Sequence, residues 1–276
     1  MPRDWSRRWG RSWARTVADT ELSFETLDWM ARARTNGSAG ADPTTLRAIE
    51  AYVRTLKGAG IWSQMGRLNL FCGRDLAACL TPLIRAVGNV TENNSGFVAA
   101  NYSSSTGLQG NGTSKFLNTG VLLSTYSVNN RHMSVRELAK SSAIHMTSIG
   151  TQTTASADCF YLGLASPADS YRLWAGGGVP QLISGSYTGG AHFIGVNASP
   201  CSLYKNGAFV MNGSPSILPP PNTSMTVFAR NVSGSALNVS DARLGGYSLG
   251  MELSPTQAGV LYEADLRFQQ ALGRLP

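Results

Sequence analysis

The sequence predicts a mainly β protein in which two antiparallel sheets form a sandwich, with a helical extension at the N-terminus and a helix at the C-terminus. Beyond Gly88 the segments become short, alternate between apolar and polar residues, and are rich in Ser, Thr, Asn and Gly. Turn residues separate these segments at intervals of roughly 8–12 residues, which is typical of β-sandwiches. Hydrophobic residues make up 42% of the chain and charged residues only 14%, a balance that favours a packed core over disorder.

Residues 1–40 are predicted to form a basic helical anchor. A helical pattern covers residues 1–34, and tryptophan recurs there every four residues, so that three indoles lie near one face: Trp5, Trp9 and Trp13. Arginines surround them: Arg7, Arg8, Arg11 and Arg15. We interpret this pattern as a partner-docking segment, with tryptophans for a groove and arginines for an acidic rim. The alternative is a helix that packs on its own domain.

Residues 41–92 are predicted as a helical lead-in that packs on the sandwich. A Gly-containing break precedes it, and Asp42 and Pro43 then supply an N-cap and a helix-first proline for a helix that ends near Lys57. A strand is predicted over residues 67–72, and a second helix over residues 74–87. Residues 93–276 are predicted as the sandwich with its closing helix.

Nine strands of the sandwich are predicted from alternation and from β-branched and aromatic content. They cover residues 115–122, 133–138, 143–149, 159–164, 171–174, 181–183, 192–197, 202–205 and 225–229. Asn206-Gly207 stands between two apolar stretches and predicts a hairpin with a type I′ turn. Ser254, Pro255 and Gln257 form the capping-box pattern that opens the closing helix.

Three stretches of the chain carry a resemblance to a known family. Residues 107–120, with the sequence GLQGNGTSKFLNTG, look like an opening strand, and residues 244–274 look like a closing strand and helix. LYKNG at residues 203–207 matches the usual hairpin between them. Together these stretches resemble the concanavalin A-like (laminin-G-like) lectin-fold accessory structural proteins of tailed bacteriophages and prophages. The resemblance implies a jelly-roll sandwich of two antiparallel sheets.

The same resemblance implies a virion structural protein, that is, a head or tail spike, fibre or decoration component. Such a protein is assembled in the cytoplasm of the bacterial host, docks through its N-terminus and displays the lectin-like sandwich. Its expected partners are other virion proteins (capsid, portal or tail), further copies of the same chain in a homo-oligomer, and host surface polysaccharide. No cofactor is expected. Membrane insertion is not expected either, because no stretch reaches about 18 consecutive apolar residues.

Aromatic residues of the sandwich are candidates for contact with sugars, because sugar rings present apolar faces to flat side chains. We nominate Tyr171, Trp174 and Tyr187 as glycan-binding residues. The alternative is that these rings belong to the core.

The sequence also predicts that the chain is not an enzyme. Glycoside hydrolysis needs two neighbouring carboxylates, and residues 93–250 hold only four acids, none at a spacing that pairs them on one strand: Glu137, Asp158, Asp169 and Asp241. No histidine follows the GxSxG pattern around Ser248, and helix signals begin only at Ser254. We therefore interpret the pattern as a strand and not as a nucleophile elbow. No metal site is predicted, because the four cysteines and three histidines lack ligand spacing; buried thiols are expected instead.

Three other functions stay open at this point. A carbohydrate-binding adhesin would have the same fold as the virion structural protein and would differ from it in exposing aromatic and polar residues on a concave face. A glycan depolymerase requires distant acids to converge. Nucleic-acid binding through the basic arm is favoured by the net charge of +7 but disfavoured by the interleaved tryptophans, which suit a protein groove better than a duplex.

Overall fold

A computed structural model of the chain describes residues 22–143, 145–153, 159–164, 170–175, 181–183, 189–213 and 222–275. The described residues form two β-sheets that pack face to face and a layer of helices that packs on one of them. This architecture confirms the predicted mainly β sandwich with helices at both ends.

The strands of the first sheet are β1 (Met65–Asn69), β2 (Ile84–Arg85), β4 (Tyr102–Ser103), β5 (Gly107–Gln109), β7 (Arg131–Ala139), β12 (Ala191–Asn197), β13 (Cys201–Lys205), β14 (Ala208–Gly213) and β18 (Arg243–Gly250). This sheet is antiparallel throughout and has the strand order β14-β13-β12-β7-β18-β1-β2, with β5 paired to β18 and β4 paired to β5. Two strands of the 41–92 segment therefore belong to this sheet, while the domain boundaries at residues 40 and 92 stay predictions.

The strands of the second sheet are β3 (Asn93–Ser95), β6 (Phe116–Leu122), β8 (Thr147–Gln152), β9 (Cys159–Leu164), β10 (Tyr171–Ala175), β11 (Gln181–Ile183), β15 (Ser224–Val227), β16 (Arg230–Val232) and β17 (Ser235–Leu237). This sheet has the strand order β11-β10-β9-β8-β15-β6-β3, and the hairpin β16-β17 joins it through a parallel pairing of β16 with β8.

Four α-helices are described: α1 (Phe24–Thr35), α2 (Pro43–Gly58), α3 (Leu76–Cys79) and α4 (Pro255–Ala271). The predicted caps are confirmed: the Thr45 amide donates to the Asp42 side chain, and Ser254 and Gln257 form a reciprocal capping box. Short 3-10 turns cover Trp62–Gln64, Ala99–Asn101 and Leu123–Thr125. No described helix is long and apolar enough to cross a membrane.

Two hydrophobic cores hold the layers together. Between the sheets, Phe160 and Leu162 of β9 meet Phe193 of β12, and each of these side chains is fully buried. On the other side of the first sheet, Ile194 packs with residues of the helices, where Tyr52 and Phe268 join α2 to α4 edge to face. Each such side chain contributes roughly 1.5–3 kcal/mol by burial. The first sheet is thus covered on both faces, whereas no described residue of the second sheet belongs to the helix-side core.

Local chemistry explains where the predictions are confirmed and where they are wrong. Asn206 and Gly207 both have positive φ, 51° and 73°, and join β13 to β14 as the predicted hairpin turn. The predicted helix over residues 74–87 is wrong: α3 ends at Cys79, because Pro82 disfavours the helical conformation of the residue before it. The predicted strand over residues 143–149 is displaced to β8. The four cysteines are buried, as predicted.

Candidate functional site

The second sheet presents a cluster of aromatic and arginine side chains on the face that points away from the first sheet. Tyr161 of β9, Arg172 and Trp174 of β10 and Arg230 of β16 make up this cluster, which we call the aromatic–arginine face. Trp174 and both arginines are partly exposed, whereas Tyr161 lies beneath them and is 6% exposed. The cluster therefore combines a flat apolar surface with two cationic groups that solvent can reach.

Strand alternation places these side chains together. In β10 the residues Tyr171, Leu173 and Ala175 point into the core, so Arg172 and Trp174 point outward. Trp174 is the direct antiparallel partner of Tyr161 on the neighbouring strand, and directly paired residues share a face.

The other partner of Tyr161 is Gly150 of β8. A Cβ atom at residue 150 would lie 2.1 Å from Cβ of Tyr161, a distance that real side chains do not reach. The absence of a side chain at Gly150 therefore leaves the space that the Tyr161 side chain occupies.

Contacts between rings and guanidinium groups fix the geometry of the face. The ring centroids of Tyr161 and Trp174 are 5.8 Å apart at a tilt of 34°. Cζ of Arg230 lies 4.7 Å from the centroid of the Tyr161 ring, and Cζ of Arg172 lies 5.5 Å from that of Trp174. Cation–π attraction of this kind contributes roughly 0.5–2 kcal/mol and holds each guanidinium group close to a ring.

Three N–H donors of the face are buried from water and have no acceptor among the described residues: Nε of Arg172, Nε1 of Trp174 and Nε of Arg230. Leaving a buried donor unpaired costs about 1–3 kcal/mol, so such groups are typically paired, often by a ligand or water. Burial raises the pKa of Tyr161, although the two arginines act in the opposite direction. Its hydroxyl therefore stays protonated at neutral pH, and the Nη1 of Arg172 lies 3.5 Å from it.

The structure separates the residues that the sequence nominated. Trp174 lies on the aromatic–arginine face. Tyr171 points the other way: it is 1% exposed, stacks on Phe193 with centroids 3.5 Å apart, and donates its hydroxyl proton to Glu137. Its ring cannot reach a sugar, because residues three apart on one strand lie on opposite faces of the sheet. Tyr187 lies outside the described residues.

The predicted docking residues also lie outside the described residues: Trp5, Trp9, Trp13, Arg7, Arg8, Arg11 and Arg15. Among the residues that sequence reasoning missed, Arg172 follows from alternation, since it stands two positions from Trp174. Tyr161 and Arg230 carry no such signal, because only the pairing of distant strands brings them to the same place.

A serine–histidine pair was also missed. Nδ1 of His132 on β7 donates to the carbonyl of Met251, so Nε2 is left to accept the hydroxyl proton of Ser248 across 3.0 Å. Ser134 lies 2.7 Å from the Ser248 hydroxyl. His132 is 1% exposed and Ser248 0%, and burial lowers the pKa of His132 to about 4. The pair has no access to a substrate and serves as polar packing at the centre of β7 and β18.

Outside this face, a groove beside α4 also brings charged side chains together. This groove of about 500 Å³ lies between the end of α2, the β13–β14 hairpin and α4, where Glu263 and Arg267 bring both signs of charge. In the described part of the chain, no group of three or more His, Cys, Asp and Glu side chains is arranged to hold a metal ion. The aromatic–arginine face is the stronger candidate, because unpaired donors and unpaired cations meet there.

Comparison with known proteins identifies the fold but no family. No protein-family model matches the chain, and no curated protein matches it. A solved structure of a mutant of Trypanosoma rangeli sialidase displaying trans-sialidase activity is similar, at 13% identity and a TM-score of 0.52, over 81% of this chain and 39% of that chain. Domain 4 of a GH43 extracellular arabinanase from Geobacillus stearothermophilus, in complex with arabinotriose, matches at 16% identity and a TM-score of 0.46, over 66% of this chain and 92% of that domain.

The match to the sialidase bears on the prediction that the chain is not an enzyme. The likeness to the sialidase shows a shared fold alone, and the chain spans 39% of the length of that enzyme. The prediction that the chain is not an enzyme is nevertheless overturned, because its fold is found in an enzyme, the sialidase. That prediction rested on the spacing of four carboxylates along one chain, and spacing says nothing of carboxylates that other segments bring to a site.

Proposed function

We propose that the chain is a carbohydrate-binding β-sandwich and that the aromatic–arginine face is where it holds the glycan. The partly exposed ring of Trp174, backed by Tyr161, is the observation that carries this proposal. A sugar ring stacks its apolar face on such a surface, and a rigid aromatic platform loses little conformational entropy on binding. Unpaired N–H groups at its border supply the directed hydrogen bonds that fix a polar ligand.

The first prediction concerns this platform. Trp174→Ala is expected to weaken glycan binding by at least about tenfold, because an aromatic side chain that the ligand covers is typically a dominant contact of a binding surface. Binding is measured by a glycan array and by co-sedimentation with bacterial surface polysaccharides, and released reducing ends are assayed in the same samples to detect hydrolysis.

Two matched variants control this experiment. Trp62→Ala removes a partly exposed tryptophan on the helical side of the molecule, and Tyr171→Phe removes only a hydroxyl of the core. Both are expected to bind like the unmodified chain. The proposal fails if no glycan is bound, or if Trp174→Ala and Trp62→Ala bind a glycan equally well while both remain folded by circular dichroism.

A second proposal concerns the N-terminus: the basic anchor docks the chain on a virion protein, and the sandwich assembled there is displayed toward host surface glycans. Its support is the resemblance to phage accessory proteins, the Trp/Arg pattern of residues 1–34, and two apolar side chains at the start of α1. Phe24 is 77% and Leu27 44% exposed, so the described end of the predicted anchor carries exposed apolar side chains.

Deletion of residues 2–20 tests this second proposal. The truncated chain is expected to fold with an unchanged unfolding midpoint and to disappear from purified particles, as measured by mass spectrometry of virions from a complemented phage. Incorporation at the level of the full-length chain would contradict the docking role. We propose that the assembled form is a homo-oligomer, as the resemblance implies. Light scattering of the full-length chain checks this.

A further inference from the structure

We propose that Arg172 and Arg230 make the aromatic–arginine face a receptor for acidic glycans, whose sugar carboxylates they bind beside the Tyr161–Trp174 platform. This inference rests on the proposed glycan-binding function and specifies the class of glycan. It follows from three observations: the charge balance of the face, the unpaired donors, and the way in which the guanidinium groups are held.

The first observation is that the described members of the face include two arginines and no acidic side chain. Five described ion pairs neutralise Arg32, Arg54, Lys57, Arg67 and Arg136. Arg172 and Arg230 have no carboxylate partner among the described residues, and both approach the same side chain, that of Tyr161. Two like charges that converge on one partly buried group repel each other, and an anion placed between them removes this repulsion.

The unpaired donors indicate where the anion binds. The Nε of each arginine is buried from water and has no acceptor in the described part of the chain, and the same is true of Nε1 of Trp174. The Nε edge of a guanidinium group is one of the edges that bind a planar carboxylate through two parallel hydrogen bonds. A carboxylate held there accepts hydrogen bonds from the arginines and at the same time neutralises their charge.

The contact of each guanidinium group with a ring favours this arrangement before any ligand arrives. Little side-chain entropy is then lost on binding. A pyranose that bears a carboxylate at its edge can rest its apolar face on Trp174 while the carboxylate points at the arginines. The face therefore matches a uronic-acid type of sugar better than a neutral one, because a neutral sugar leaves both cations unpaired.

The experiment compares charged and neutral forms of the same polymers. The full chain is titrated with polygalacturonate, alginate and hyaluronate, and with the carboxyl-reduced form of each, by isothermal titration calorimetry at 0.15 M salt. At least one of the three acidic polymers is expected to bind tenfold or more tightly than its reduced form. Dextran sulfate is a fourth probe; binding as tight as that of the best carboxylate polymer would overturn the assignment to carboxylates.

Variants separate a built site from general attraction by a chain of net charge +7. Arg172→Gln/Arg230→Gln is expected to lose the preference for the acidic polymer, with affinity for it falling roughly tenfold to hundredfold. Arg47→Gln/Arg85→Gln removes the same charge from two exposed arginines of α2 and β2 and is expected to keep the preference. Arg172→Lys/Arg230→Lys keeps the charge without the planar fork and is expected to bind weakly and with strong dependence on salt.

The outcomes distinguish the two proposals. If neutral and acidic polymers bind equally well and Trp174→Ala abolishes both, the glycan-binding function stands and the acidic specificity is overturned. If both double glutamine variants weaken binding alike, the attraction is general and the arginine site is overturned. If no polymer binds and no glycan is bound on the array, the proposed function itself fails. Circular dichroism and thermal unfolding of each variant confirm that lost binding is not lost folding.

Discussion

Acidification from pH 7 to pH 5 is expected to destabilise the fold by about 4 kcal/mol, mainly through two buried histidines. Burial lowers the pKa of His132 to about 4 and that of His192 to about 3, against an ordinary value near 6.5. Below pH 6.5 the unfolded chain binds a proton at each histidine and the folded chain does not, so stability falls as the pH falls. At 1.36 kcal/mol for each pH unit below 6.5, each histidine costs about 2 kcal/mol at pH 5.

Urea unfolding at half-unit steps between pH 7 and pH 5 measures this effect, in a range above the titration of ordinary carboxylates. His192→Phe replaces an imidazole that stacks on Tyr262 and is expected to reduce the pH dependence by about half. His145→Gln alters the exposed third histidine and serves as the control variant. A free energy of unfolding that stays constant between pH 7 and pH 5 would show that neither histidine resists protonation in the folded state.

Glu92→Gln is expected to lower the free energy of unfolding by about 3–5 kcal/mol, because it leaves a fully buried arginine without its counter-charge. Nη2 of Arg67 lies 3.1 Å from Glu92, and both side chains are 0% exposed. Tyr247 connects them: its hydroxyl accepts from Nε of Arg67 at 2.8 Å and donates to Glu92 at 2.6 Å. Asn69 donates a further hydrogen bond to the same carboxylate. The network joins β1, β18 and the chain that leads into the second sheet.

A double variant tests whether the loss comes from the unpaired charge. Arg67→Met/Glu92→Leu removes both charges at once and is expected to be more stable than Glu92→Gln, since well-packed apolar pairs replace buried ion pairs at little cost. Glu263→Gln, at an exposed position of α4, is the control and is expected to leave the urea midpoint unchanged. A midpoint for Glu92→Gln equal to that of the control would mean that the pair contributes no net stability.

Local rules account for the features that sequence reasoning predicted well. The Asn206-Gly207 turn, the Ser254 cap and the limits of β9 depend on neighbours within a few residues, and each is confirmed. The early end of the helix before Pro82 is also a local effect, which the prediction overlooked. The stacking of two sheets follows from many short strands that each need one buried face.

The candidate site depended on information that one strand does not contain. The sequence nominated Tyr171 with Trp174 because both are aromatic, although their odd spacing places them on opposite faces. Trp174 meets Tyr161 only through the pairing of β9 with β10, and Arg230 meets Tyr161 only because β16 lies parallel to β8. The same limit applies to Ser248 and His132, which are 116 residues apart in the chain. Strand order, which composition and alternation leave open, decides all of these contacts.

The position of β18 in the first sheet has a consequence for the order of events during synthesis. This strand lies between β7 and β1 and also pairs with β5, so the sheet has no centre until residues 243–250 are available. Strand β1, completed at residue 69, waits for a partner that leaves the ribosome some 180 residues later. Contacts of such long range slow folding and expose unpaired strand edges. The nascent chain therefore carries an open edge beside β1 and β7 until residues 243–250 emerge, and its yield in a cell depends on protection of that edge until then.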